Sequence, residues 1–167
     1  AGSAARPRRS ALYMPAANPR AMDKARTLPC DVVILDLEDA VAPDAKVEAR
    51  AAACAAVAAG GFGAREVVIR INSLSTEWGQ ADLAAAAAAA PDAVLVPKID
   101  GPDDLAAYAQ ALPPGTDLWA MVETCRSLFR LEPLAAAAGD HRLTTLVVGT
   151  NDLAKEMRCR PDVDRAP

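Results

Sequence analysis

The chain has 167 residues, 52% of them hydrophobic and 24% charged, with a formal net charge of -4, which is apolar material enough for one sizeable core and points to a single domain over residues 1–167. The mild acidity and the absence of a dense Lys/Arg cluster argue against a nucleic-acid surface, since Arg6, Arg8 and Arg9 are too short a group to make one. No apolar run approaches a membrane span, the start lacks the basic-then-apolar design of a signal peptide, and Cys30, Cys54, Cys125 and Cys159 are too widely spaced for a zinc site or a disulfide framework, so a reducing cytoplasm is the expected compartment.

Taken in order, the chain alternates strand and helix with a short period. Ser10–Met14 reads as a short first strand, Pro19–Leu28 as a helix whose proline suits a first turn, and Val32–Leu37 as a second strand. Ala45–Ala59, with Lys46, Glu48 and Arg50 among alanines, is a strong helix former closed by Gly60 and Gly61. Val67–Ile71 follows as a third strand, Gln80–Ala90 as an alanine-rich helix stopped by Pro91, and Ala93–Val96 as a fourth strand. Pro102–Leu112, Leu118–Val122, Leu128–Ala138, Leu143–Val148 and Asp152–Met157 continue as helix, strand, helix, strand and helix. Beyond Met157 the chain turns polar and proline-containing, with no seventh strand.

Tandem βα units build either an open doubly wound sheet or an eightfold barrel. Polar residues gather after nearly every strand: Asp36, Glu38 and Asp39 after the second, Arg70 at the third, Lys98 after the fourth, Glu123 after the fifth and Asp152 after the sixth. That distribution suits a barrel rim better than the single switch point of an open sheet. The stretch after the first strand, Pro15-Ala16-Ala17, also has no glycine for a dinucleotide fingerprint. The expected fold is an α/β (β/α)8 TIM barrel of which this chain supplies about six βα units. Such barrels usually need roughly 250 residues, so the domain is expected to be incomplete at its C-terminal side.

Each rim residue has more than one physical reading. Glu123 and Asp152 follow adjacent strands, so their carboxylates can converge; two converging carboxylates call for a cation, and Mg²⁺ suits such a site, while helix capping is the plain alternative. Arg70, at the end of a buried strand, needs an anion, either a carboxylate such as Asp36 or Glu38 or a substrate oxygen. Asp36, Glu38 and Asp39 read best as a supporting acidic cluster that orients Arg70, Lys98 or metal-bound water. Lys98 reads as an ammonium paired with Glu38 or Asp36, with a Schiff-base lysine as the less favoured reading. Arg9 is a candidate grip on a carboxylate or on the thioester side of a ligand. His141 lies in a polar turn, Cys125 has no histidine beside it to act as base, and Trp119 and Met121 alternate as core.

Six blocks carry a family resemblance: RSALYMPAANPRAMDKA, DVVILDLEDAVAPDAKVEAR, VVIRIN, AVLVPKID, LWAMVET and VVGTNDLA, in this order from Arg9 to Leu153. Together they resemble the citrate lyase beta-subunit and malyl-CoA lyase family, within the HpcH/HpaI-type aldolases. The second block is highly specific; VVIRIN or VPK alone would not be. The resemblance implies a Mg²⁺-dependent barrel that cleaves or forms a carbon-carbon bond next to a thioester, with an acyl-CoA or carrier-protein thioester as substrate. It places the metal ligands on Glu123 and Asp152 and puts Arg70 against the substrate's acid group and reacting oxygen. It further implies a homo-oligomer, trimer or hexamer, and a missing β7, β8 and C-terminal segment that brings a carboxylate to a neighbouring subunit's site. Asn151 departs from the glutamate frequent there, which bears on specificity. Two other functions fit the same residues: a pyruvate-type metal aldolase that needs no CoA, and a non-catalytic binding or regulatory relative.

Overall fold

The computed structural model describes residues 6–160, so the polar tail expected beyond Met157 lies, from residue 161, outside the described residues. The described residues form six strands: β1 (Ala11–Pro15), β2 (Val32–Asp36), β3 (Glu66–Arg70), β4 (Ala93–Val96), β5 (Asp117–Val122) and β6 (Leu143–Val148). They form one parallel sheet in strict sequence order, β1 to β6. Each strand lies beside its predecessor, so every right-handed crossover leaves its helix on the same side. This is the winding of a barrel; an open doubly wound sheet would reverse direction part-way. Among the described residues β1 and β6 are not paired to each other, and the barrel is not closed.

The helices are α1 (Pro19–Ala25), α2 (Lys46–Ala59), α3 (Gly79–Ala89), α4 (Leu105–Ala111), α5 (Cys125–Leu128), α6 (Leu131–Ala136), α7 (Ala138–His141) and α8 (Thr150–Met157), with 3-10 turns at Pro43–Ala45 and Pro102–Asp104. The single helix expected over Leu128–Ala138 is instead three short pieces. Pro133 supplies no N–H and its ring would collide with the carbonyl one turn earlier, so the first piece stops at Leu128 and a new one begins at Leu131 with the proline in its first turn. The α1 helix also stops at Ala25, short of the expected Leu28.

Strand alternation divides the core. Val33, Leu35, Val67, Ile69, Val94 and Leu118 point outward and pack with Ala49, Ala53, Leu83 and Leu105 of the helices. Their neighbours Val32, Ile34, Val68, Leu95, Trp119 and Met121 form a second cluster on the inner face. Small alanines on α2 and α3 let those helices lie close to the sheet, which is why the alanine-rich stretches are ordered helices and not low-complexity coil. No helix among the described residues is long and apolar enough to cross a membrane, and all four cysteines are free.

Candidate active site

The inner face is apolar until the strands end, and there it turns polar. Counting by twos along the strands, Ile34 is followed on the same face by Asp36, Val68 by Arg70 and Met121 by Glu123, and the β2–β3 register sets Asp36 directly beside Arg70. Tyr13, Arg70, Met121, Glu123, Gly149 and Asp152 line one cleft of about 470 Å³ at this end.

Arg70 is buried and held from three sides. Its Nε and Nη2 donate to the two oxygens of Asp36 at 2.7 and 2.5 Å, its Nη1 donates to Asp39 at 3.2 Å and lies 3.0 Å from Glu38 Oε2, and the Tyr13 ring lies 5.1 Å from the guanidinium carbon. Burial opposes the charge, but these anions outweigh it and raise the Arg70 pKa further. Asp36 is fixed in turn by the backbone N–H groups of Glu38 and Ala40. Asp39 is the loosest member, its side chain 63% exposed.

Lys98 ties the two halves together. It adopts a left-handed backbone conformation, φ 54°, a costly geometry for a residue with a side chain. That geometry aims its N–H at Glu123 Oε1, 2.8 Å away. Its ammonium reaches Glu38 and Asp152 at 3.0 Å each and lies 3.8 Å from Glu123. Burial disfavours the ammonium, yet the hydrogen bonds it donates to Asp152 and Glu38 prevail and raise its pKa, so a neutral Schiff-base amine is disfavoured.

Neither candidate metal ligand serves as a helix cap. Thr124 caps α5 by accepting the Ser127 N–H at 3.1 Å, and Asp152 lies inside the first turn of α8. Glu123 is 3% exposed, and burial raises its pKa, as it does for Glu38. Gly149 leaves the space that Glu123 fills: a Cβ there would stand 2.5 Å from Glu123 Oε2.

The carboxylates of Asp36, Glu38, Asp39, Glu123 and Asp152 outnumber the Arg70 and Lys98 cations they contact. Glu38 Oε2 is buried and receives no hydrogen bond, its approach to Arg70 being off the donor direction. Surplus negative charge gathered at a partly buried site fits an added hard cation, and Lys98 marks where Glu123 and Asp152 both reach. No three acidic, histidine or cysteine side chains among the described residues are gathered as a ready cage. Such a cation would therefore complete its shell with water or substrate, the usual habit of Mg²⁺.

Arg9 requires a correction. It precedes β1, so it lies at the opposite end of the strands from Glu123 and Arg70, its side chain 78% exposed and bound to Asp31 at 2.9 Å. In a parallel sheet a residue that precedes its strand lies at the end away from the rim where the cleft lies. Tyr13 and Gly149 were not singled out from sequence. Tyr13 shares the inward parity of Ile34, its register partner, and that alternation would have found it; Gly149 carries no side chain to give a signal.

Residues 9–164 match the family described as HpcH/HpaI aldolase/citrate lyase. The chain belongs to this family. A (3S)-malyl-CoA thioesterase of Cereibacter sphaeroides is 48% identical over 160 residues, covering 95% of this chain and 55% of that protein. The citrate lyase subunit beta of Escherichia coli K12 is 30% identical over 163 residues, 92% of this chain and 53% of its own length. The chain thus spans about half the length of the curated relatives it matches. Among solved structures, the protein CitE of Mycobacterium tuberculosis in complex with magnesium, acetoacetate and coenzyme A superposes with a TM-score of 0.74 at 30% identity, over 93% of this chain and 54% of that one. The family and the sequential parallel sheet agree on a TIM-barrel-like fold.

Proposed function

We propose that the protein is a Mg²⁺-dependent carbon-carbon lyase acting on a β-hydroxyacyl-CoA of the malyl-CoA type. The observation that supports this reading is the approach of Glu123 and Asp152 to the same Lys98 ammonium, beside a locked arginine at the same cleft. A Mg²⁺ held by those two carboxylates would polarise the hydroxy-acid or oxo-acid end of the substrate. Arg70 supplies the complementary contact. Asp36 occupies Nε and Nη2, so the guanidinium cannot rotate, and Nη1 faces the cleft through its weakest tie, the exposed Asp39. A substrate carboxylate or developing oxo group takes the place of Asp39 there, gaining a charge-assisted hydrogen bond from the fixed guanidinium. Glu38 and Asp39 balance the guanidinium until substrate arrives, and Lys98 holds the Glu123 carboxylate by its N–H. In the reaction a base accepts the hydroxyl proton, the hydroxyl carbon becomes the oxo group as the C2–C3 bond breaks and its electron pair passes to the thioester enolate, and a proton returned to the enolate carbon gives acetyl-CoA as the oxo-acid departs. The same reading carries a homo-oligomer in the cytoplasm and admits a carrier-protein thioester in place of CoA.

A second reading, hydrolysis of the same thioester, is favoured by the 48% identity to a protein named (3S)-malyl-CoA thioesterase. Product analysis of the full-length protein with malyl-CoA and Mg²⁺ separates the two. Glyoxylate with acetyl-CoA is the expected result. Malate with free CoA would replace lyase by thioesterase. Turnover of small hydroxy-oxo-acids alone would move the protein to the CoA-independent aldolases, and no turnover of either class would leave a binding relative.

A further inference from the structure

Behind the loop that carries Glu38 lies a buried polar network with no role so far. Lys46 is the first residue of α2, where an ammonium opposes the helix dipole, yet it is only 5% exposed. Its Nζ donates to the carbonyls of Leu37 and Glu38, both at 2.7 Å, and to Asn72 Oδ1 at 2.9 Å. Those three acceptors are uncharged and use every N–H the ammonium has. The Trp78 ring covers it at 5.2 Å. Burial lowers the Lys46 pKa, opposed by the nearby charges of Asp36 and Asp82. Asn72 shares the load: its Nδ2 donates to the Leu37 carbonyl at 3.0 Å and to Asp82 Oδ2 at 2.6 Å, and Asp82 Oδ1 accepts Arg50 Nε at 2.6 Å. Lys46 of α2 therefore holds two consecutive carbonyls, those of Leu37 and Glu38, Asn72 after β3 shares the first of them, and Asp82 of α3 holds Asn72 in place.

We propose that Lys46 is a positioning residue which, by fixing the Leu37 and Glu38 carbonyls, sets where the Glu38 carboxylate meets Arg70 and Lys98. Glu38 lies 3.0 Å from each of these cations. On the Arg70 side no hydrogen bond secures it, because Glu38 Oε2 has none. Its station there depends on the backbone beneath it, and that backbone is what Lys46 grips. A cation has been placed at an unfavourable helix position because it alone can satisfy two carbonyls and an amide oxygen from one atom. The proposal rests on the reading of Arg70 as a substrate contact.

The test uses the full-length protein and the small oxo-acid oxaloacetate as probe, with saturating Mg²⁺ and calorimetric detection. Lys46→Met is expected to weaken oxaloacetate binding about tenfold, the lower end of what loss of a supporting partner costs a site. In a Glu38→Gln background the same change is expected to cost less than twofold, because the effect travels through Glu38. A merely structural lysine would lower the melting temperature equally in both backgrounds and leave no such coupling. Arg50→Ala, which loses only the outer Asp82 contact, serves as that structural comparison and is expected to lower stability without the coupling. If Lys46→Met does not fold, Lys46→Gln, which keeps an amide donor, is measured against the same criteria. Arg70→Lys is run in parallel. A tenfold loss in Arg70→Lys with none in the Lys46 variant, or equal Lys46 effects with and without Glu38, overturns the positioning role; no loss in Arg70→Lys overturns the reading of the site and the proposal with it.

Discussion

Replacing Gly149 by alanine tests the geometry of the carboxylate pair without touching a charged group. The backbone there has φ -88°, which alanine adopts freely, so the added methyl acts by volume alone. It would stand 2.5 Å from Glu123 Oε2, 2.7 Å from Glu123 Cβ and 3.0 Å from Met121 Cε. Glu123 is buried and cannot swing into solvent, so relief requires moving its carboxylate away from the Lys98 N–H that it accepts at 2.8 Å. Losing a hydrogen bond to a charged group costs ~2 kcal/mol, about thirtyfold in a dissociation constant. Crowding a packed interior adds about 1–3 kcal/mol to the loss of stability. Gly149→Ala is therefore expected to weaken Mg²⁺ binding by roughly 10- to 100-fold in titration calorimetry while the protein still melts cooperatively. Mg²⁺ affinity within about twofold of the parent would refute the argument, because Glu123 would then have moved without consequence for the metal.

Glu123→Gln and Asp152→Asn are each expected to weaken Mg²⁺ binding, since each exchanges an anionic ligand for a neutral one, and unchanged affinity in both would remove them from the metal site. The Glu123 pKa is raised by burial, so its ionisation costs stability as the pH rises from the unfolded value of about 4.5 through the folded one; metal-free Glu123→Gln is expected to melt higher than the parent near neutral pH, with the gain fading as the pH falls to the unfolded value and below. Thermal melts across that range without Mg²⁺ check the sign, and a gain that grows toward acid would contradict it. Arg70→Lys is expected to keep the fold and to lower kcat by at least about tenfold, ~1.4 kcal/mol, because a point charge cannot hold Asp36 with two prongs and present a third N–H to substrate. Arg9→Ala is expected to leave Mg²⁺ affinity and kcat within about twofold, as the side chain pairs with Asp31 at the far end of the strands; a larger loss would mean that end of the domain communicates with the cleft.

The order of elements was legible in the sequence because local chemistry sets it. Apolar runs bounded by Gly60, Pro91 and charged residues marked the strands, the alanine-rich stretches marked the helices, and both β4 and β6 begin and end where expected. Local pattern failed at Leu128–Ala138, where composition favoured one helix and the backbone demand of Pro133 divided it. The polar strand ends pointed to Asp36, Arg70, Lys98, Glu123 and Asp152, which the fold brings to one end of the sheet, and the quoted blocks identified the family. What the sequence could not decide was which groups share one point in space. Arg9 and Arg70 are both arginines close to a strand, and only the direction of the parallel strands sends one to the cleft and the other to the opposite end. Whether Glu123 caps a helix or faces a cation depended on Thr124 taking the capping role, and on a positive φ at Lys98 that no composition rule foresees. Lys46 looked like one more helix-forming residue until folding brought Leu37, Glu38 and Asn72 around its ammonium. Sequence specifies the chemistry each residue can offer; the distances that turn carboxylates, a lysine and an arginine into one site exist only when strands far apart in the chain are laid side by side.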